Sequence, residues 1–85
     1  MKIEKKVWPE YFQKILDGKK NFEIRLNDFK CCEGDILVLR EWDPKTKEYT
    51  GRILEKEVKI VLKLNELNLF SKEDIEKYGY QVIGL

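Results

Sequence analysis

Eighty-five residues make one domain, 1–85, and a chain this short buries only about 60–65% of the surface it exposes when unfolded. The formal net charge of +1 sets up no global field to steer the molecule toward nucleic acid. The longest uninterrupted aliphatic run, Ile36–Leu39, excludes a membrane-spanning helix, which takes about 20 apolar residues.

The charge is unevenly placed. Residues 1–32 hold 8 Lys/Arg and 5 Asp/Glu, whereas residues 33–85 hold 9 and 11. A modest basic side near the N-terminal third is one reading of this, and scatter is the other. Charged residues make up 39% of the chain, with abundant Lys and Glu, a bias that fits a thermophile's surface. Met1 to Phe12 contains lysines and glutamates but no apolar signal region, so a soluble cytoplasmic protein is the expectation. Cys31 and Cys32 are adjacent, and neighbouring cysteines close a disulfide only with backbone strain, so two thiols are expected.

Ile3 to Val7 predicts a short first strand. Trp8-Pro9 then opens a helix, because proline's missing N–H costs nothing in the first turn. Trp8, Tyr11, Phe12, Ile15 and Leu16 follow the i, i+3, i+4, i+7, i+8 rule and predict an apolar, core-facing stripe. Gly18 is the expected C-terminal cap, and Lys19 and Lys20 sit where a helix C-terminus favours positive charge. Asn21–Leu26 alternates, with Phe22, Ile24 and Leu26 on one side and Asn21, Glu23 and Arg25 on the other. Asn27-Asp28 and Glu33-Gly34-Asp35 read as turns. Asp35–Trp42 predicts a strand, and Asp43 to Glu48 a hairpin-type loop. Tyr49 to about Leu64 predicts a long β segment that Gly51 lets bend or bulge. Ser71 starts a short helix ending at Gly79, and Tyr80–Leu85 predicts a last strand. The order β-α-β-β-β-α-β points to an α+β fold: a small, mixed, partly closed β-barrel of about five strands, with one main helix and one short one.

The available chemistry is narrow. The chain has no histidine, so no Ser-His-Asp or Cys-His arrangement exists within it, and two thiols without histidine are too few for a metal site. The five glycines make no P-loop or dinucleotide fingerprint, and no cofactor is expected. Lys, Arg, Glu, Tyr and Trp remain, which suit recognition of a planar, hydrogen-bonding ligand, with or without a phosphate. Glu23 accepts from an amino group, and Arg25 forks onto an acceptor pair or a phosphate. Two residues apart on a strand, about 6.5–7 Å between Cα atoms, they point to the same side. Trp42 or Tyr49 is a candidate for stacking on a base. The alternative is that Glu23 and Arg25 pair with charges on neighbouring strands.

The stretches KKVWPEYFQKILDGKKNFEIRLND, GDILVLREWDP, YTGR and GYQVIGL resemble, in order and spacing, a small uncharacterised family of the ASCH group within the PUA-like superfamily. The resemblance covers nearly the whole chain. It implies a PUA-like barrel with a helix across it, and a cleft beside the first helix and second strand that binds RNA or modified nucleosides. Carried over by position, Lys20, Glu23 and Arg25 line that cleft with Lys19 beside them, and Asn27 and Asp28 shape its rim. Three departures stand out. Ile3 occupies a place where relatives carry histidine. Phe29 follows the Asn-Asp pair where relatives carry arginine, and Cys31-Cys32 stand in the loop beyond. Some ASCH proteins remove an acetyl group from N4-acetylcytidine with a lysine, a threonine and a glutamate. Lys20 matches that lysine, but Glu23 stands at the threonine position, and only Glu66 and Glu73 lie in the region of the glutamate. A carboxylate replacing a hydroxyl nucleophile would form an anhydride and change the mechanism.

The leading expectation is a noncatalytic module whose partner is RNA or a nucleotide-like small molecule, held by Lys19, Lys20, Glu23, Arg25, Asn27 and Asp28. The alternatives are a small amidohydrolase acting on an acylated cytidine-like base through Lys20 and Glu23, and a regulatory protein-interaction module.

Overall fold

Alternation decides the first strand. In β1 (Lys2–Val7), Ile3, Lys5 and Val7 turn inward while Lys2, Glu4 and Lys6 stay exposed. The computed structural model describes residues 1–85. Pro9 then starts α1 (Pro9–Leu16), which is stopped by Gly18 in the left-handed region at φ 73°. The backbone N–H groups of both Lys19 and Lys20 donate to the Lys14 carbonyl, completing that cap. α1 lies in the crossover that a parallel strand pair requires. β2 (Ile36–Asp43) runs parallel to β1, with Ile3 opposite Leu37, Lys5 opposite Leu39 and Val7 opposite Glu41.

A four-residue turn follows, in which the Asp43 carboxylate accepts from the Lys45 N–H at 2.8 Å and the Asp43 carbonyl from Lys47 N–H. β3 (Glu48–Glu57) returns antiparallel to β2, giving a three-stranded sheet in the order β1-β2-β3. Its register shifts between Arg40 and Trp42, where Gly51 takes φ 98°, so the expected bulge is present. A 3-10 turn (Leu64–Glu66) and α2 (Lys72–Tyr78) complete the chain. The Ser71 hydroxyl caps α2 by accepting from the Asp74 N–H, as expected.

The core is small and sits between α1 and the sheet. Phe12 and Ile15 of α1 pack on Val7 and Leu39, with Leu37 and Leu54 at the margin. Trp8, Tyr11 and Leu16, expected on a core-facing stripe, are about half exposed. The sheet is narrower than the stripe, and Trp8 and Tyr11 stack on each other instead, with centroids 6.4 Å apart.

The α+β class stands, but three strands replace the expected five, and the sheet is open rather than a barrel. Residues 21–26 and 80–85 form no strand, and β3 stops well short of Leu64. Each departure has a local cause. The last bonds between β3 and the β2 side run from the Val58 N–H to the Asp35 carbonyl and from the Gly34 N–H to the Val58 carbonyl; beyond them the turn at Glu33-Gly34 carries the adjoining segment away. Residues 21–26 are held through side chains: the Lys20 ammonium donates to the Phe22 carbonyl, and Arg25 to the Lys6 carbonyl on the free edge of β1. The C-terminal stretch meets this segment at Gly84, where an added Cβ would lie 3.1 Å from the Phe22 ring. Ile60, Leu62, Phe70 and Ile83 consequently remain exposed. No helix is long and apolar enough to cross a membrane.

Candidate ligand-binding cleft

The α1 cap and the segment after it bring three of the expected residues together. Glu23 lies between two cations, accepting from Lys20 Nζ at 2.6 Å on one oxygen and from Arg25 Nε at 3.0 Å on the other. The side chains are 15%, 17% and 32% exposed for Lys20, Glu23 and Arg25, so the cluster is largely shielded by the protein. The Lys20 ammonium also lies 5.0 Å from the Phe22 ring centre and 5.9 Å from that of Tyr11. Lys20 and Glu23 are therefore engaged with each other, and Arg25 is the member that reaches outward.

Arg25 extends to β1, where its terminal nitrogen donates to the Lys6 carbonyl at 2.6 Å. It thereby enters a depression of about 360 Å³, lined also by Glu4, Lys5, Lys6, Arg40 and Tyr49. The register builds this hollow. Lys6 is opposite Arg40 in the parallel pair, and Trp42 is opposite Tyr49 in the antiparallel pair, so these side chains share the sheet face away from α1. The Arg40 guanidinium lies 3.8 Å from the Tyr49 ring centre. The Lys6 ammonium lies 4.6 Å from the Trp42 ring and 5.7 Å from the Tyr49 ring. Arg40 Nε is buried without a hydrogen-bond partner, and its counter-ion Glu4 stands off at 3.8 Å. Lys5 turns the other way and lies 3.6 Å from the centre of the Phe29 ring.

Lys19, Asn27 and Asp28 are exposed and do not line this depression. Neither Glu66 nor Glu73 bonds to Lys20 or Glu23. Glu66 lies in the 3-10 turn, at a separate hollow of about 440 Å³ with Cys31 and Cys32, and Glu73 in the first turn of α2. The two cysteines are free thiols. Burial, and then the neighbouring Asp35 carboxylate, push the Cys31 thiol up, away from the reactive thiolate.

Sequence reasoning missed Glu4, Lys6 and Arg40. Their signal was the outward set of the first strand, Lys2, Glu4 and Lys6, and the arginine following Ile36–Leu39, but only the strand register places them side by side. It also missed Glu41, a buried carboxylate on the opposite face. Glu41 accepts from Arg52 through both oxygens, at 2.9 and 2.6 Å, and from the Thr50 hydroxyl. Arg52 in turn donates to Gln13 of α1 and lies 4.9 Å from the Phe12 ring. The Arg52 hydrogen bonds, followed by the Thr50 hydroxyl, hold the Glu41 carboxyl below its ordinary value.

Residues 3–84 match the family model described as "Domain of unknown function (DUF3850)". The chain is also similar to the "Uncharacterized 12.9 kDa protein in GpA 3'region" of Escherichia phage P2. The two are 36% identical over 63 residues, covering 74% of this chain and 56% of the phage protein. The chain thus spans about half the length of that relative. No solved structure matches significantly. With nearly its whole length matched, the chain belongs to the family of domains of unknown function designated DUF3850.

Proposed function

We propose that the domain binds RNA or a nucleotide-like ligand in the depression between Arg25 and the helix-free face of the sheet. One observation carries this reading. Three cations, Lys6, Arg25 and Arg40, meet one acid, Glu4, around a single hollow, in a chain whose whole net charge is +1. Concentrating positive charge against the chain average is how a nearly neutral protein builds a local anion site. Lys20 and Glu23 position Arg25 rather than meeting the ligand, since their charged atoms are already matched. The resemblance to the ASCH group of PUA-like proteins implies a cleft beside the first helix and the segment after it, and Arg25, one of the residues carried over to that cleft, lines the depression. A cytoplasmic site of action suits the two free thiols.

The test is titration of isotope-labelled protein with short single-stranded RNAs while following backbone and side-chain resonances. Shifts are expected at Lys6, Arg25, Arg40 and Tyr49. Binding through three phosphate contacts should weaken with salt, log K falling with log[salt] at a slope of about −2 for a single strand. Shifts that avoid all four residues, with a flat salt dependence, overturn the proposal.

A further inference from the structure

We infer that the depression reads the phosphate of its ligand rather than the base, with Arg40 as the anchor and Glu4 as a counter-ion that the phosphate displaces. This deepens the nucleic-acid reading above and rests on it.

The aromatic rings are the first reason. Trp42 and Tyr49 are the natural stacking platforms on this face, yet cations already lie against them. Lys6 is 4.6 Å from the Trp42 ring centre, and Arg40 is 3.8 Å from that of Tyr49. Rings used in this way orient cations and hold their charge at the surface, leaving less ring face for a base. The state of Arg40 is the second reason. Its Nε is buried with no hydrogen-bond partner, and its acidic neighbour is beyond hydrogen-bond distance at 3.8 Å. Guanidinium presents a planar fork of donors that matches phosphate oxygens. Glu4 is the third. Its side chain is 67% exposed, so it can swing into water when a stronger anion arrives. Arg25 supplies a second cation lining the same depression, fixed by the Glu23 carboxylate and the Lys6 carbonyl.

The ligand class is therefore a phosphate ester of a nucleoside, either a free nucleotide or the backbone of a single strand, with little preference among bases. Adenosine, uridine, AMP, UMP and a short single-stranded RNA are titrated against the intact protein, with binding read at the Arg40 and Tyr49 resonances. AMP and UMP should bind within about threefold of each other, and the nucleosides at least tenfold more weakly. An RNA bound much more tightly than either monophosphate identifies the strand backbone as the source of the phosphate; equal affinity identifies the free nucleotide. Glu4→Gln should raise AMP affinity severalfold, Arg40→Lys should lower it about tenfold while retaining the charge, and Glu48→Gln, outside the depression, should leave it unchanged. Nucleosides binding as tightly as their monophosphates, or Glu4→Gln leaving AMP affinity unaltered, overturn the phosphate inference while the nucleic-acid reading stands. Silence of the cleft toward RNA, nucleotides and nucleosides alike overturns both.

Discussion

Arg40 and Glu41 are consecutive residues of one strand, and the two faces of the sheet treat them in opposite ways. Beneath α1, Glu41 is buried and every oxygen is matched, by Arg52 and Thr50. On the other face, Arg40 keeps an unpartnered nitrogen and a counter-ion at arm's length. A buried charge is tolerated only when paired and hydrogen-bonded, and the helix side meets that condition in full. The helix-free side does not: Arg40 keeps an unmatched nitrogen there, beside a hollow that Lys6 and Arg25 also line. The first face holds the fold together; the second leaves its arginine only partly matched.

The largest effects should therefore come from the face under α1. Phe12 is 1% exposed and belongs to a core of four buried apolar residues. Phe12→Ala should cost about 3–5 kcal/mol, as large-to-small core changes do, a substantial share of the stability of so small a domain. It also removes the ring beside Arg52. Trp42→Ala on the other face should cost clearly less, because Trp42 is only partly buried. Urea denaturation of both variants checks this, and an equal loss would erase the distinction between the faces.

Glu41→Gln comes next. It keeps the side chain's shape but removes the charge that Arg52 and Thr50 donate to, and hydrogen bonds to charged groups are worth about 1.5–3 kcal/mol. A loss of that order is expected in thermal melts. Arg40→Gln, one residue away, should cost less, about 0.5–1 kcal/mol, because what it removes is the stacking of the guanidinium on Tyr49 and no matched hydrogen bond. If Arg40→Gln proved the more damaging change, Arg40 would be a structural residue and its place in the cleft incidental.

How much of this was legible in the sequence follows from the range of each interaction. Local signals were reliable: Pro9 and Gly18 bracket α1, Gly51 sits at a bulge, and Ser71 caps α2. Each depends on a few neighbouring backbone groups. Alternation in residues 21–26 was a real pattern but named no partner strand, and here Lys20 and Arg25 claim the segment through side-chain bonds. At the site, Lys20, Glu23 and Arg25 were found because they are close in sequence. Lys6 and Arg40 were not, because a parallel register joining residues 34 positions apart brings them opposite each other. Glu41 was hidden for a similar reason: its partner Arg52 reaches it only across the hairpin bulge.

The smallest effect is also the one that separates buried from exposed charge most cleanly. Both Glu41 and Glu57 have carboxyls held below the ordinary value, Glu41 by Arg52 and Thr50, Glu57 by Lys59. A carboxyl lowered by folding adds stability that is present above its unfolded value, near 4.5, and is lost as pH falls through the folded one. Both should therefore steepen acid denaturation below about pH 4.5. Their surroundings differ, however: the Glu57 and Lys59 side chains are 52% and 79% exposed, whereas Glu41 is 4% exposed. At 1 M salt, where the screening length falls to about 3 Å, the Glu57 contribution should fade and that of Glu41 persist. Melting temperatures of the wild type, Glu41→Gln and Glu57→Gln between pH 3 and 6, in low and high salt, read this directly. Glu41→Gln should flatten the acid limb in both conditions, and Glu57→Gln only in low salt. A Glu41 effect that vanished with salt would mean that water reaches this carboxylate, and that the face under α1 is less closed than its packing indicates.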